Sequence, residues 1–210
     1  MAALAERRKD LLDAMMREAI YEGAVAVLSS HGLGGTTMDR VAAAAGVAKG
    51  TLYNHFRSKR DLLEFVHAKT IEPVDEAMEE ILRSELPAAD KLWMINRMWR
   101  DNVTRRRAAF EFLISDQSAR SILANNAKTG RRRAIEQIAS VIEEGIAAGE
   151  FRPVHAIRVA EMLVGANIGM IEEEFALGEE RSDKETSDVL LDVFLNGLVA
   201  GKTKEANCGD

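Results

Sequence analysis

Apolar residues return every third or fourth position along most of the chain, the period of one face of an α-helix, and runs of alternating β-branched residues are missing. The pattern predicts an all-α protein of about nine helices. Residues 4–31 read as one helix or a broken pair, ending at His31-Gly32 before a Leu33-Gly34-Gly35 loop. Two short helices follow. The first, from Met38 to Ala45, carries Val41, Ala42 and Ala45 inward, with Thr36 and Asp39 spaced as an N-terminal capping box. Gly46 supplies a left-handed residue to end it, and Val47 returns an apolar side chain to the core. The second starts near Lys49. Ser58 and Asp61 form another capping box, opening a fourth helix at Lys59 that runs through Leu62, Leu63, Val66 and Thr70 toward Ile81. Pro73 lies within that helix and is expected to kink or break it. Pro87 opens a fifth helix in the first-turn position. A sixth spans Arg107 to Asp116, and a seventh Ser118 to Ala148, with Asn125-Asn126 and Gly130 as candidate interruptions. The last two run from Ala156 to Leu177 and from Lys184 to Ala200.

The helix from Lys49 has one buried stripe and one bare face. At about 100° per residue, Leu52 and Phe56 point one way. Gly50 and Asn54 fall almost opposite, with Thr51 and Tyr53 on the flanks. Core packing accounts for Leu52 and Phe56 but not for Gly50, because glycine inside a helix costs about 0.8–1 kcal/mol relative to alanine. Close approach of another molecule does account for it. A bare backbone lets the first turn sit deep in a groove, with its positive dipole end near phosphate. Asn54 can then read a base edge, Thr51 can reach a phosphate or a thymine methyl, and Tyr53 and His55 can donate to phosphate oxygens. Such a helix suits DNA recognition.

The segment GVAKGTLYNHFRSKRDLL resembles the signature of the TetR/AcrR family of bacterial transcriptional regulators. The resemblance spans roughly Ile20 to Leu63 and includes Gly32, Thr36, Thr37, Val41, Gly46, Gly50, Leu52, Tyr53, Phe56 and Leu62. It implies that Thr37, Lys49, Gly50, Thr51, Tyr53, Asn54, His55 and Lys59 lie at the DNA surface. Lys49 and Lys59 would supply phosphate contacts, and Asn54 and Thr51 base choice. Tyr21, Gly23 and Leu28 depart from the family pattern and are expected to soften the packing of the first helix.

Composition narrows the class further. With 210 residues, three prolines and 5% aromatics, the chain is helical in character, and no apolar run reaches the 18 or so residues of a membrane span. The N-terminus has no apolar signal core, so a cytoplasmic location is expected. The one cysteine, Cys208, lies in a polar tail, which leaves no disulfide framework or metal cluster; no cofactor is expected. The formal net charge is −6. Residues 1–67 carry nine Lys/Arg against eight Asp/Glu, so the acidity belongs to the remainder. Motif rather than charge points to DNA. The expected domains are a helix-turn-helix DNA-binding domain at 1–65 (with an extension at 1–19), a helical effector-binding and dimerisation domain at 66–202, and the tail at 203–210. Arg7, Arg8 and Lys9 in the extension read either as an arm on DNA or as a solvated helix face.

In the second part, Trp93, Met94, Met98, Trp99 and Asn102, with Phe110 and Phe112, are candidates to line a ligand cavity, although such a stripe also suits plain core. The family builds its effector cavity from these middle helices. Arg105–Arg107 and Arg131–Arg133 read as solvated or ion-paired faces, or as the lining of an anionic-effector pocket. Val164, Ile168, Ile171, Phe175, Val193, Phe194 and Leu198 make two apolar stripes, and Gly165, Ala166 and Gly169 add a thin face. The family joins this helix pair in a four-helix bundle across a two-fold axis, which predicts a homodimer on double-stranded DNA with a pseudo-palindromic operator. The function expected is a sequence-specific regulator, a repressor released by an unknown small-molecule effector. The alternatives are a constitutive DNA-binding dimer, or a helical small-molecule-binding protein or enzyme. No nucleophile–base pair, metal-ligand spacing or phosphate loop favours the enzyme.

Overall fold

The computed structural model describes residues 2–178 and 183–198. They form α1 (Ala2–Gly35), α2 (Met38–Ala44), α3 (Lys49–His55), α4 (Lys59–Arg83), α5 (Ala88–Arg105), α6 (Arg107–Ser115), α7 (Gln117–Ala147), α8 (Ala156–Leu177) and α9 (Asp183–Leu198). The polar tail at 203–210, with Cys208, and the predicted end of the ninth helix at Ala200 lie outside the described residues. The all-α class and the helix order follow the hydrophobic period. No described helix is long and apolar enough to cross a membrane.

The chain divides into two compact units: Met1–Asp75 with Asn102–Ala127, and Glu76–Asp101 with Lys128–Asp210. The sequence places one division at 65/66, whereas the structure cuts inside α4, α5 and α7. The reason is core membership. Ala109, Phe112, Ala119 and Leu123 are buried in the same cluster as Ile20, Leu28, Val41 and Leu52, so α6 and the start of α7 complete the first unit.

Within the first unit, α1 turns Ile20, Tyr21, Ala24, Val27 and Leu28 to the core. It breaks at Gly32, where φ is 63°. Thr36 is buried and donates its hydroxyl to the Gly32 carbonyl at 2.7 Å. The capping box expected from Thr36 and Asp39 therefore does not form. Thr37 is the N-cap instead, its Oγ1 accepting from the Arg40 N–H at 3.3 Å. Asp116 holds the other side of the break. Its carboxylate accepts from Leu33 N and from Ala119 N, each at 2.9 Å. Burial opposes its ionisation, but the backbone donors of Leu33, Ala119 and Ser118 together hold its carboxyl below the usual range.

Gly23 does not soften the packing. A Cβ there would stand 2.6 Å from the Ala45 backbone nitrogen and 2.8 Å from its Cα, so the glycine is what lets α1 meet the end of α2. Tyr21 is buried, with its hydroxyl 3.1 Å from Thr70 Oγ1. Thr70 gives its own proton to the Val66 carbonyl at 2.7 Å, which makes Tyr21 the donor. The second expected capping box does form: Asp61 N donates to Ser58 Oγ at 3.1 Å, and Asp61 accepts from Arg57 N at 3.1 Å. The hydrogen bond from Ser58 is the main reason that the Asp61 carboxyl lies below its ordinary value. Pro73 does not break α4, and α7 runs without interruption through Asn125, Asn126 and Gly130.

In the second unit, Leu92, Val141, Ile142, Ala160 and Leu191 are almost wholly buried. The chain turns at Gly149 (φ 76°) and packs Phe151 on Gly145, where no side chain would fit. Glu150 then caps α5, its two carboxylate oxygens accepting from Ala88 N and Ala89 N at 3.3 Å each. Lys91 pairs with Glu144 at 2.7 Å. Arg100 pairs with Glu174 at 2.8 Å with side chains only 3% and 5% exposed, tying α5 to α8.

Two stability measurements test these constraints. Gly23→Ala should cost about 1–3 kcal/mol of unfolding free energy in urea, because the Ala45 backbone has to move. Glu174→Gln should cost about 3–5 kcal/mol, while Arg100→Met with Glu174→Leu should recover most of that loss. A harmless Glu174→Gln would mean that the buried pair does not hold α5 to α8.

Candidate nucleic-acid interface

The turn between α2 and α3 is built by two nested hydrogen bonds. Val47 N donates to the Ala42 carbonyl at 3.0 Å and Gly46 N to that of Ala43 at 3.2 Å, a Schellman arrangement that needs the left-handed Gly46 (φ 66°). Beyond it, α3 is anchored by Leu52, at 0% exposure, and by Phe56, whose ring lies 4.9 Å from that of Phe65. The Arg17 guanidinium lies over the Phe65 ring, 4.9 Å from its centroid. These contacts set which face of α3 is left outside.

That outer face carries Lys49, Gly50, Tyr53 and Asn54, all exposed, with Thr51 and His55 half-buried at its edges. A Cβ on Gly50 would meet nothing within 4 Å, so nothing within the chain requires glycine there. Thr37 is exposed at the start of α2, its hydroxyl oxygen used as the cap. Lys59, expected at the DNA surface as a phosphate contact, is also used within the chain. It is half-buried, and its ammonium donates to the carbonyls of Leu33 at 2.7 Å and Thr36 at 3.0 Å. Seven of the eight expected residues thus lie on α2–α3, and Lys59 ties the end of α1 to the start of α4.

Two further residues belong to this surface and were not predicted for it. Arg40 donates to the Gly35 carbonyl at 2.6 Å. Asp39 grips Lys49, whose Nζ lies 2.7 Å from Oδ1 and 2.8 Å from Oδ2. The hydrogen bond and charge of Asp39 raise the Lys49 pKa, and the Tyr53 ring lies 5.8 Å from the same ammonium. The Asp39–Lys49 spacing spans a turn between helices, so no helical periodicity reveals it.

The seven ligand-cavity candidates divide between the units. Trp93, Met98 and Trp99 are half-buried in the second unit, and Met94 is 45% exposed there. Asn102, Phe110 and Phe112 are buried in the first unit; Asn102 Nδ2 donates to the Thr70 carbonyl at 3.1 Å, and Phe112 is part of the core around Leu52. An open groove of about 290 Å³ in the first unit is lined by other residues, among them Tyr21, Glu22, Arg105 and Arg106, with the Arg106 guanidinium 4.9 Å from the Tyr21 ring centroid.

The dimer candidates divide by face. Ile171, Phe175 and Leu198 are buried within the single chain, which corrects their placement on an outer surface. Val164, Ile168 and Phe194 are half-buried and Val193 is 65% exposed. Periodicity marks both faces of α8 and α9 as apolar and cannot tell which one meets the chain's own core. Met162 and Val189, at 63% and 62% exposure, extend the outer face instead.

Comparison with known proteins agrees with this geometry. Residues 20–66 match the family described as "Bacterial regulatory proteins, tetR family", and residues 95–185 match "Tetracyclin repressor-like, C-terminal domain". An uncharacterised HTH-type transcriptional regulator of Bacillus subtilis, YhgD, is 27% identical over 88% of this chain and 97% of its own length. The HTH-type transcriptional repressor KstR2 of Mycolicibacterium smegmatis is 25% identical over 67% of this chain and 69% of its own. A solved Clostridium perfringens structure, provisionally described as a fatty acid metabolism regulator, is 28% identical with a TM-score of 0.71, covering 87% of this chain and 99% of that one. The match over 20–66 holds the whole turn and reading helix, and the second carries the likeness through the body. The chain belongs to the TetR/AcrR family of DNA-binding transcriptional regulators.

Proposed function

We propose that the protein is a homodimeric repressor that two-fold-related α3 helices seat on a pseudo-palindromic operator, and that a small apolar molecule releases it. The observation that carries the DNA-reading part is Gly50, a helical glycine that no contact within the chain explains. On this reading Gly50 is bare because the duplex comes close. Asn54 and Thr51 choose bases, and Lys49, Tyr53, His55 and Thr37 hold phosphates. Lys59 keeps one ammonium proton for phosphate beyond the two given to carbonyls. The naming of KstR2 as a repressor supports the sign of regulation. Such a regulator acts on the chromosome, in the bacterial cytoplasm.

The dimer is supported by the outer surface of α8 and α9. At helical spacing, Met162, Gly165 and Gly169 share one face of α8, and Val189, Val193 and Gly197 share one face of α9. A Cβ on Gly169 or Gly197 would meet nothing within 4 Å, so these thin positions leave room for a neighbouring helix. For the effector, Trp93, Met98 and Trp99 offer apolar, adaptable walls in the second unit. A fatty-acid-metabolism description for the Clostridium perfringens protein is in keeping with an apolar effector. Its binding would bias the spacing of the two heads and so weaken the hold on the operator.

Binding to duplex DNA, with the operator first selected from a random pool, tests the residue roles. Asn54→Ala should lose about 1–3 kcal/mol of discrimination at one base pair per half-site. Lys49→Ala should weaken binding to all sequences and flatten the salt slope by about 0.9 per half-site. Equal effects from both would show that base reading and phosphate contact are wrongly divided. For the dimer, Val193→Asp should raise the dissociation constant at least about tenfold in sedimentation, or about 1.4 kcal/mol, with the monomer's helicity unchanged. An unaltered dimer would move the interface elsewhere.

A further inference from the structure

The cations around the reading helix are held in two different ways. Arg40 and Lys59 donate to neutral backbone carbonyls, at 2.6 Å to Gly35 and at 2.7 and 3.0 Å to Leu33 and Thr36. Those bonds orient the side chains and leave the full positive charge in place. Lys49 instead meets a carboxylate. Both oxygens of Asp39 lie within hydrogen-bond distance, at 2.7 and 2.8 Å, and both side chains are 61% exposed. The pair links the first turn of α2 to the first residue of α3, on the surface where a phosphate would arrive.

A pair this exposed adds little to stability, since water and salt screen it. Nor does α2 depend on Asp39 for its cap, which Thr37 supplies. Its effect falls on Lys49. An ammonium paired with a carboxylate still has a proton to offer a phosphate, but the carboxylate offsets its charge and repels the incoming anion unless the pair opens. The free energy gained on the DNA is reduced by the amount lost from the pair.

We propose that Asp39 is a positioning residue that competes with the DNA backbone for Lys49, and so lowers the sequence-independent part of the protein's hold on DNA. The inference rests on Lys49 facing phosphate. Removing the negative charge frees one cation per half-site in a head whose residues 1–67 carry only nine Lys/Arg against eight Asp/Glu. Binding to every sequence then strengthens by a similar factor, and base preference stays as it was.

The test measures affinity of the full-length protein for a mixed-sequence duplex against salt concentration, for the parent, Asp39→Asn, Lys49→Gln and the double variant. Asparagine keeps the shape of Asp39, and thermal unfolding of each variant confirms that the fold is kept. Asp39→Asn should bind about threefold to tenfold tighter near 0.1 M salt, with a slope steeper by about 0.9 per half-site. Lys49→Gln should flatten the slope, and Asp39→Asn should strengthen binding less in the Lys49→Gln background than in the parent. If Lys49→Gln leaves the slope unchanged, the phosphate role of Lys49 is wrong and the competition fails with it. If Lys49→Gln flattens the slope but Asp39→Asn does not steepen it, the competition alone is overturned. A change of preference at a single base pair with Asp39→Asn, at constant slope, would overturn it in favour of direct base reading by Asp39.

Discussion

A helix of seven residues cannot hold itself together in water, and α3 has only seven. Everything that α3 presents to DNA therefore depends on the burial of Leu52 and Phe56, the two side chains that press it onto the rest of the first unit. Leu52 sits in the same core as Ile20, Leu28, Val41 and Leu63, so α1, α2 and α4 together form its seat. The seat also sets the rotation of α3 about its own axis. With Leu52 and Phe56 inward, Gly50 and Asn54 can only face out. Orientation of the reading surface is thus a by-product of two apolar contacts.

The same dependence explains why small residues gather where α1, α2 and α3 meet. Gly23 lets the Ala45 backbone come within the space that a methyl group would fill. Gly46 permits the turn that brings Val47 back to the core. Polar groups near this junction are tied down: Thr36 to Gly32, Lys59 to Leu33 and Thr36, Asp116 to Leu33. Each binds a backbone group at or just after the break of α1 at Gly32, the point from which the chain is redirected into α2. Rigid support of this kind keeps a short helix within the tolerance that base reading needs.

Much of this was legible in the residues because it follows local rules. The helix order, the Ser58–Asp61 cap and the inward stripe of Leu52 and Phe56 arise from spacings of three and four, and the turn at Gly46 from a glycine's tolerance of positive φ. Choices between adjacent candidates were less legible. Thr36 and Thr37 have the same side chain, and only the three-dimensional break at Gly32 decides which one is buried and which one caps. Gly23 looked like a loss of packing because a sequence does not show that another backbone lies against it. Lys59 and the Asp39–Lys49 pair involve partners 10 to 26 residues away, across loops whose geometry no period encodes. For α8 and α9, apolar residues surround the helix, and burial of Ile171, Phe175 and Leu198 within the chain had to be seen before an outer stripe could be separated from the core.

The placement of charge bears on how such a head can be released. Effector coupling in proteins is commonly about 1–3 kcal/mol, a factor of about 5–150 in affinity. A head with many unpaired cations would hold any DNA by a margin that this coupling could not overcome, because each phosphate contact adds to binding regardless of sequence. Here the head is nearly neutral, two of its cations are committed to carbonyls, and a third is shared with Asp39. With Asn54 and Thr51 in the proposed base-reading roles, its hold on DNA would depend more on the bases than on the backbone. In the proposed dimer, two such heads would gain from both half-sites only while their spacing fits the duplex, so a modest shift in spacing would remove a large share of the affinity. A weak electrostatic floor and a spacing-sensitive pair would make the proposed release by a small molecule energetically feasible.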